Sequence, residues 1–306
     1  MADIVAFAAM SHAPFWNGER KISGPGAIFT EGVERARTMI EQSGADTLVI
    51  FGPDHYRNFF LDVMPSFCIG VDEVIGIGDY GTSEGPLLSA APFGRVIVDG
   101  TRGQGFDPAV SVRMGIDHGI AQPHDVLVSG LPIVPIMVNC GSAPRPSFRR
   151  CYEFGQAVGR AIAASSSANR VCIIGSGGLS HWVKPMAVDD PALDDTTRQY
   201  LISGRALAAD YSRKRDRSLA KRIADGVDGN INVEWDDWVL SRIAAGDIDA
   251  VLDMDSDQVE AAAGNGAHEV RAWLAALGAW SRPVERLAYE PIRSWVTGMG
   301  IIGGHQ

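Results

Sequence analysis

The sequence predicts an α/β fold in which a mostly parallel central sheet lies between two layers of helices. Short apolar runs of strand length alternate with helical patterns up to about residue 180, as expected for βαβ units. Several of these runs break into Gly- or Pro-containing turns that carry polar side chains. After residue 181 the chain becomes charged and helical. We therefore expect a three-layer α/β/α architecture with an α-rich excursion at about 185–265.

The strands and helices of the N-terminal half are predicted from apolar periodicity. Residues 3–10 form a strand pattern, and a helical pattern over 26–43 stops at Gly44. Residues 47–51 are apolar and β-branched, and they break at Gly52-Pro53. Residues 88–103 have no clear pattern. Further along the chain, we predict a strand over 60–69, a Gly-rich loop or hairpin over 71–86, a strand over 110–114, a short helix over 123–129, a strand over 133–139, a helix over 148–164 and a strand over 171–175.

The C-terminal half is predicted to be largely helical. An apolar helix is predicted over 267–280, and no Pro/Ser/Gly-rich linker brackets the excursion before it. We therefore expect residues 1–306 to form a single domain. Within the excursion, helical stretches are predicted near 192–211, 215–225, 234–245 and 256–263.

Composition restricts the classes of partner and compartment. The apolar fraction of 46% and the charged fraction of 21% are those of an ordinary globular protein. The net charge of -10 argues against nucleic acid and anionic membranes as partners. The N-terminus lacks the features of a signal peptide, and no apolar run approaches the roughly 18 residues of a membrane span. We expect a cytoplasmic protein with reduced core cysteines, namely Cys68, Cys140, Cys151 and Cys172.

Histidines stand where the predicted strands end. Four of the seven follow a predicted strand closely: His12, His55, His118 and His181. Ligands collect beyond the carboxyl ends of strands in open α/β sheets. A fifth histidine, His268, precedes Glu269 at the start of an apolar helix. Four imidazoles and a carboxylate at one sheet edge predict a metal site with additional histidines for acid–base chemistry.

The donor types narrow the choice of metal. No cysteine accompanies the histidines, which excludes a Cys-rich structural zinc site. Two histidines and one carboxylate with open positions are typical of non-haem Fe(II) oxygenases, but histidine and carboxylate also suit catalytic Zn or Mn. The sequence contains no HExxH or P-loop motif. Composition therefore predicts a catalytic divalent metal and leaves its identity open.

Five segments are distinctive as motifs: SHAP (11–14), FGPDHYRNFFLDVMPSFCIG (51–70), DHGIAQP (117–123), GSGGLSHW (175–182) and HEVRAW (268–273). In this order they resemble the class III extradiol ring-cleaving dioxygenases of the protocatechuate 4,5-dioxygenase β-subunit superfamily, most closely its 2,3-dihydroxyphenylpropionate 1,2-dioxygenase branch. The resemblance covers nearly the whole chain. It implies one catalytic domain over 1–306, a homo-oligomer, and Fe(II)-dependent opening of a catechol-type ring with both atoms of O₂.

The resemblance also implies individual roles. His12 and His55 match the two histidine ligands of the metal, and Glu269 matches the carboxylate ligand. His118 in the DHG segment matches the proposed proton donor. His181 in the GLSH segment matches the proposed base.

Four further residues are candidates for substrate binding: Tyr56, Arg57, His124 and Trp182. For Tyr56 the alternative is a packed tyrosine, and for His124 a loop residue or a partner of a ligand. Arg57 is either a ligand for a substrate carboxylate or a solvated arginine. Trp182 is included because it follows His181.

Two other functions stay open for this sequence. The first is the same chemistry on an aminophenol or hydroxypyridone ring, which offers iron a similar pair of donor atoms. The second is a zinc metallohydrolase or a non-oxygenase relative on the same fold. The metal content and the ring that supports oxygen uptake distinguish the three possibilities.

Overall fold

The structure, a computed structural model, describes residues 1–167, 169–183, 188, 191, 193–226 and 228–306. Its strands are β1 (Asp3–Met10), β2 (Thr47–Gly52), β3 (Phe67–Ile77), β4 (Glu84–Leu87), β5 (Ala109–Ile116), β6 (Ile133–Val138), β7 (Arg170–Ser176), β8 (Glu285–Ile292) and β9 (Thr297–His305). Its α-helices are α1 (Ala27–Ser43), α2 (Ala91–Arg102), α3 (His118–Leu127), α4 (Phe148–Ala164), α5 (Asp195–Ser203), α6 (Ala208–Ala224), α7 (Val233–Ala245), α8 (Asp249–Leu252), α9 (Ser256–Ala263) and α10 (Val270–Trp280).

One sheet contains all the strands of the described residues. Its centre is the parallel set β6-β2-β7-β1. Beyond β1, the strands β9 and β8 continue the sheet in antiparallel fashion. Beyond β6, β3 is antiparallel, and β4 and β5 pair with β3. The predicted α/β fold is confirmed, with parallel pairing among the four central strands and between β3 and β5.

Alternate side chains of the central strands enter two separate cores, one on each face of the sheet. Phe7 and Val49 lie in the core that includes α4 and α10. Ala8 and Ile50 lie in the core that includes α1 and α3. The predicted α/β/α layering is confirmed. The predicted α-rich excursion is confirmed for its described residues, whereas 184–187, 189–190, 192 and 227 lie outside them.

Several predicted boundaries were wrong. The strand predicted over 60–69 begins only at Phe67, because Phe60 packs edge-on against Tyr200 of α5 and the chain turns there. Residues 91–102, which gave no prediction, form α2 with an apolar face that includes Phe93 and Ile97. No element was predicted after residue 280, where β8 and β9 extend the sheet.

The four cysteines are buried and unpaired, as predicted. Across the described residues, no helix has both the length and the apolarity needed to cross a bilayer.

Helices α4 and α10 approach each other through glycines. A Cβ atom on Gly155 would lie 1.8 Å from the carbonyl oxygen of Ala275, and one on Gly278 would lie 2.2 Å from that of Tyr152. No side chain fits between backbones at this separation. Because Glu269 immediately precedes α10, this close packing also fixes the position of its carboxylate.

We expect Gly155→Ala to lower the free energy of unfolding by about 1–3 kcal/mol, the usual cost of overpacking a core. Urea denaturation measures the difference. Gly103→Ala, at the end of α2, is the matched control, because the atoms nearest its Cβ would be 3.6 Å away. Equal stability of the two variants would contradict the close approach of α4 and α10.

Candidate metal centre

The loops after three adjacent parallel strands converge at one end of the sheet. His12 follows β1, His55 follows β2 and His181 follows β7, and the strand order β2-β7-β1 makes these loops neighbours. His118 begins α3 directly after β5, and Glu269 ends a 3₁₀ turn before α10. Their side chains meet in one buried cluster, and that of His55 is the most exposed of them, at 21%.

Glu269 lies between the two histidines predicted to be metal ligands. Its Oε1 lies 3.1 Å from Nε2 of His55, and its Oε2 lies 3.5 Å from Nε2 of His12. Two donors at right angles around one ion, each about 2.1 Å from it, are about 3 Å apart. The three groups therefore have the spacing and the chemistry to hold one divalent cation. Their role as ligands stays a prediction.

His118 lies beside this set. It offers a ring nitrogen within 4.8 Å of those of His12 and His55. Its ring stacks on that of His55 with centroids 4.2 Å apart and an interplanar angle of 21°. Asp79, Asp117 and His118 form a second group with similar spacing. Its two carboxylates already hydrogen-bond to His118 and His55, so they hold these histidines in place.

Each of the four histidines is oriented through its Nδ1 atom. Where the partner of Nδ1 can only accept, as at His55, His118 and His181, this contact sets the tautomer. In all four rings it leaves Nε2 for chemistry or for a metal. The partners of Nδ1 are Ser176 Oγ for His12 at 2.9 Å, Asp117 Oδ2 for His55 at 3.0 Å, Asp79 Oδ2 for His118 at 2.7 Å, and the Leu179 carbonyl for His181 at 2.8 Å.

The proposed ligands carry opposite charges that offset each other, because His55 lies between the carboxylates of Asp117 and Glu269. Burial lowers the pKa of His12 to about 3, which keeps its imidazole neutral. Burial also opposes charge on His55, but the carboxylates of Asp117 and Glu269 outweigh it and raise the pKa of His55 to about 10. Burial acts against the ionised form of Glu269 too, yet the neighbouring histidines hold its pKa below the usual range. A divalent cation would take the place of the proton on His55, since metal ligands bind in their deprotonated form.

The Ser176-Gly177-Gly178 turn supports the carboxylate. The N–H of Gly178 donates a hydrogen bond to Oε2 of Glu269 at 2.6 Å. A Cβ atom on Gly177 would lie 2.5 Å from the Glu269 carbonyl oxygen. This turn, which follows β7, therefore lies directly against the predicted carboxylate ligand.

A buried carboxylate from the excursion holds the loop that carries His181. Asp236 of α7 accepts hydrogen bonds from the N–H of Ser180 at 2.7 Å and from its hydroxyl at 2.9 Å. The hydroxyl of Tyr289 donates to the same carboxylate at 2.7 Å. Asp236 is fully buried, so these three bonds anchor the loop to α7 and to the sheet.

Two of the candidate substrate-binding residues are engaged with other side chains. Tyr56 is buried, and its hydroxyl is hydrogen-bonded to that of Ser142. His124 lies within α3, so the alternative of a loop residue was wrong, and its Nδ1 lies 2.9 Å from Oδ1 of Asp125. Substrate contact by either residue stays a prediction.

The other two candidates differ in exposure. Trp182 is 40% exposed and adjoins His181 in the chain. Arg57 is only 4% exposed, so the alternative of a solvated arginine was wrong. A buried guanidinium beside the histidine cluster is energetically costly unless its positive charge has a partner.

Two orienting residues were missed in the sequence. Asp79 lies in the Gly-rich acidic stretch 71–86, and Ser176 was assigned no role toward His12. Asp117 adjoins His118 in the chain, where it could either orient an imidazole or have a plain turn role, and its carboxylate orients His55. The contacts join residues 39, 164 and 62 positions apart, so no local spacing rule could have found them.

We expect Asp117→Asn to weaken metal binding by about 10- to 100-fold, the usual effect of losing a partner that orients a ligand. Oδ2 of Asp117 accepts from the backbone N–H and the ring of His55, while Oδ1 accepts from the N–H of Gly119. An amide accepts through its oxygen alone and cannot replace both acceptors. Competition with a metal-sensitive dye measures the affinity. Asp107→Asn, at an exposed loop position, is the control, and equal affinities in the two variants would exclude this role.

The family comparison matches nearly the whole chain. A family model described as the catalytic LigB subunit of aromatic ring-opening dioxygenase matches residues 6–300. The matched range includes all five residues predicted as metal ligands or proton-transfer groups, namely His12, His55, His118, His181 and Glu269.

Curated relatives are similar over the same length. The 2,3-dihydroxyphenylpropionate/2,3-dihydroxicinnamic acid 1,2-dioxygenase of Paraburkholderia phymatum is 36% identical over 311 residues, which cover 97% of this chain and 96% of the relative. Proteins of the same name from Burkholderia vietnamiensis and Rhodococcus sp are each 34% identical, with 95% and 97% of this chain covered and 94% and 97% of the relatives.

A solved structure supports the fold alone. The crystal structure of an uncharacterized protein from Escherichia coli K12 aligns with a TM-score of 0.51 and 11% sequence identity. The alignment covers 98% of this chain and 99% of that one.

Proposed function

The chain belongs to the LigB family of catalytic subunits of aromatic ring-opening dioxygenases, and we propose that it opens a catechol-type ring with ferrous iron held by His12, His55 and Glu269. It is an extradiol ring-cleaving dioxygenase, and its substrates are an aromatic compound and O₂. The observation that carries the proposed iron site is the carboxylate of Glu269, which lies between Nε2 of both histidines.

The proposed ligand set suits a ferrous ion. Two neutral imidazoles and one carboxylate form a set with a single negative charge, and they leave coordination positions open. When bound, ferrous iron supplies adjacent positions for both reactants and the redox chemistry that activates O₂. The chain itself holds the ring in place and moves protons.

We assign the base to His181 from its hydrogen bond. The Leu179 carbonyl can only accept, so Nδ1 of His181 carries a proton. In the neutral ring, Nε2 is then the unprotonated nitrogen, and it lies 3.8 Å from Oε1 of Glu269. This nitrogen is available to take a proton from a substrate hydroxyl as the diol binds.

We assign the acid to His118 because its partner is charged. Nδ1 of His118 faces the carboxylate of Asp79 at 2.7 Å, and its backbone N–H donates to the same group. A carboxylate stabilises the doubly protonated imidazolium far better than the carbonyl that faces His181 does. His118 can therefore carry a proton on Nε2 and deliver it to the reacting oxygen.

The proposed reaction needs no outside reductant. The ring C–C bond beside the two hydroxyls breaks, both atoms of O₂ enter the product, and the ring supplies the electrons. The names of the relatives add a substrate class, namely catechols with a substituent next to the diol. We extend this class to the present chain as part of the proposal, together with a role in aromatic catabolism.

Organisation and location belong to the same proposal. Residues 1–306 would form a single catalytic domain, which is supported by one continuous sheet and by a family match over 6–300. We propose a cytoplasmic homo-oligomer, and the four buried, unpaired cysteines support the compartment.

Metal-dependent oxygen uptake tests the proposed function. Protein purified without oxygen would be loaded with Fe(II) or with Zn(II) and mixed with 2,3-dihydroxyphenylpropionate, 3-methylcatechol or 2-aminophenol. We expect one O₂ consumed per ring opened with Fe(II) and none with Zn(II). Uptake with the aminophenol alone would favour that alternative ring, and no uptake with any ring would overturn the proposal.

A further inference from the structure

Arg57 carries a buried charge that lacks a hydrogen bond. Its Nε, Nη1 and Nη2 atoms are shielded from water and have no hydrogen-bond partner in the described part of the chain. Among the described residues, the carboxylate paired with it is that of Asp79, with Oδ2 3.5 Å from Nε. Burying a charged donor without a hydrogen-bond partner is strongly unfavourable. Such a group is unusual unless a ligand completes it.

Neutralisation of Asp79 does not account for this arginine. Oδ1 and Oδ2 of Asp79 already accept hydrogen bonds from the backbone and ring of His118, at 2.8 and 2.7 Å. A guanidinium that served only this carboxylate would form a two-pronged pair at about 2.7–2.9 Å. Instead, its Nη atoms have no acceptor at all.

Arg57 also adjoins the proposed reaction site. Its guanidinium carbon lies 6.0 Å from the ring centroid of Tyr80, and the Tyr80 ring packs edge-on against His118 at 4.8 Å. Tyr80 has a φ of 53°, a left-handed conformation that non-glycine residues rarely adopt and that occurs preferentially at functional sites. Arg57, Tyr80 and His118 thus line one continuous side of the cluster.

We propose that Arg57 binds a carboxylate on the ring substituent and thereby selects acidic over neutral ring substrates, an inference that rests on the proposed function. The planar fork of a guanidinium matches the two oxygens of a carboxylate. Because the Nη atoms are shielded from water, the side chains around them must shift for the carboxylate to reach them. Arg57 would fix the substituent while the diol faces the metal ligands.

The test compares two ring substrates that differ in charge. The kcat/KM of the iron-loaded enzyme is measured for 2,3-dihydroxyphenylpropionate, which is acidic, and for 3-methylcatechol, which is neutral. In Arg57→Met the ratio of the two values is expected to fall by about 10- to 100-fold, as for loss of a charged hydrogen-bonded pair. For Arg57→Lys, which keeps the positive charge but not the planar fork, we expect a ratio between those of the wild type and Arg57→Met. Urea denaturation of each variant verifies that it is folded.

Anaerobic binding of the same two compounds, measured by calorimetry, separates this inference from the proposed function. If the wild type opens neither ring, the proposed function fails, and the binding ratio still decides the role of Arg57. An unchanged ratio in Arg57→Met, in turnover or in binding, overturns the inference. A wild type that binds both compounds equally well overturns it too.

Discussion

Replacing His55 by alanine is expected to abolish tight iron binding and ring opening while the fold stays intact. Nε2 of His55 lies 3.1 Å from Glu269, and the side chain projects from the loop after β2 outside both cores. Loss of a partner that orients a ligand already costs 10–100-fold in affinity, so we expect loss of a ligand itself to cost more than about 100-fold. Iron per chain after gel filtration, measured by atomic emission, gives the result.

The control for this variant is His305→Ala. His305 is exposed at the end of β9, and its Nδ1 lies 3.0 Å from the carbonyl oxygen of Gln306. Iron content and circular dichroism of this control should equal those of the wild type. Undiminished iron in His55→Ala would remove His55 from the proposed ligand set.

Replacing His181 by glutamine is expected to separate metal binding from turnover. Glutamine is polar and fits near the space of the imidazole, but its amide cannot accept a proton at neutral pH. We expect iron content to stay at the wild-type level and kcat to fall by about 10²- to 10⁴-fold, the usual contribution of a general base. Single-turnover oxygen uptake with a saturating catechol measures the rate.

The surroundings of His181 define the outcomes of this test. A Cβ on Gly266 would lie 2.1 Å from Nε2 of His181, so the ring is closely confined and a larger replacement would disturb the loop. Normal turnover with normal iron content would mean that the base is another group. Loss of iron would instead point to a metal-binding role for His181.

The position of the site could be predicted because it follows from sheet topology. Strands with parallel neighbours end at the same edge, so histidines placed after β1, β2 and β7 had to converge. The five residues predicted as ligands and proton-transfer groups do lie together, although their roles rest on the resemblance and await experiment. The apolar periodicity of α4 likewise gave its bounds over 148–164.

The parts that could not be predicted depend on contacts between distant residues. The pairing of Asp79 with His118 and of Ser176 with His12 depends on how loops fold back over the sheet edge. The burial of Arg57 is of the same kind, since an arginine in a turn is usually solvated. The strands β8 and β9, which extend the sheet beyond β1, were missed because nothing in the sequence of these segments distinguishes a strand that returns antiparallel from a loop.

The anchoring of Ser180 by Asp236 limits how this enzyme can be recombined with its relatives. The segment that carries Asp236 looks replaceable, because it lies outside the parallel strands and supplies none of the proposed ligands. A chimera that exchanged it without an acid at this position would release the stretch next to His181 and remove the carboxylate that accepts from both the Ser180 and the Tyr289 hydroxyls. Engineering of the helical insertion should therefore treat Asp236, Ser180 and Tyr289 as one inseparable unit.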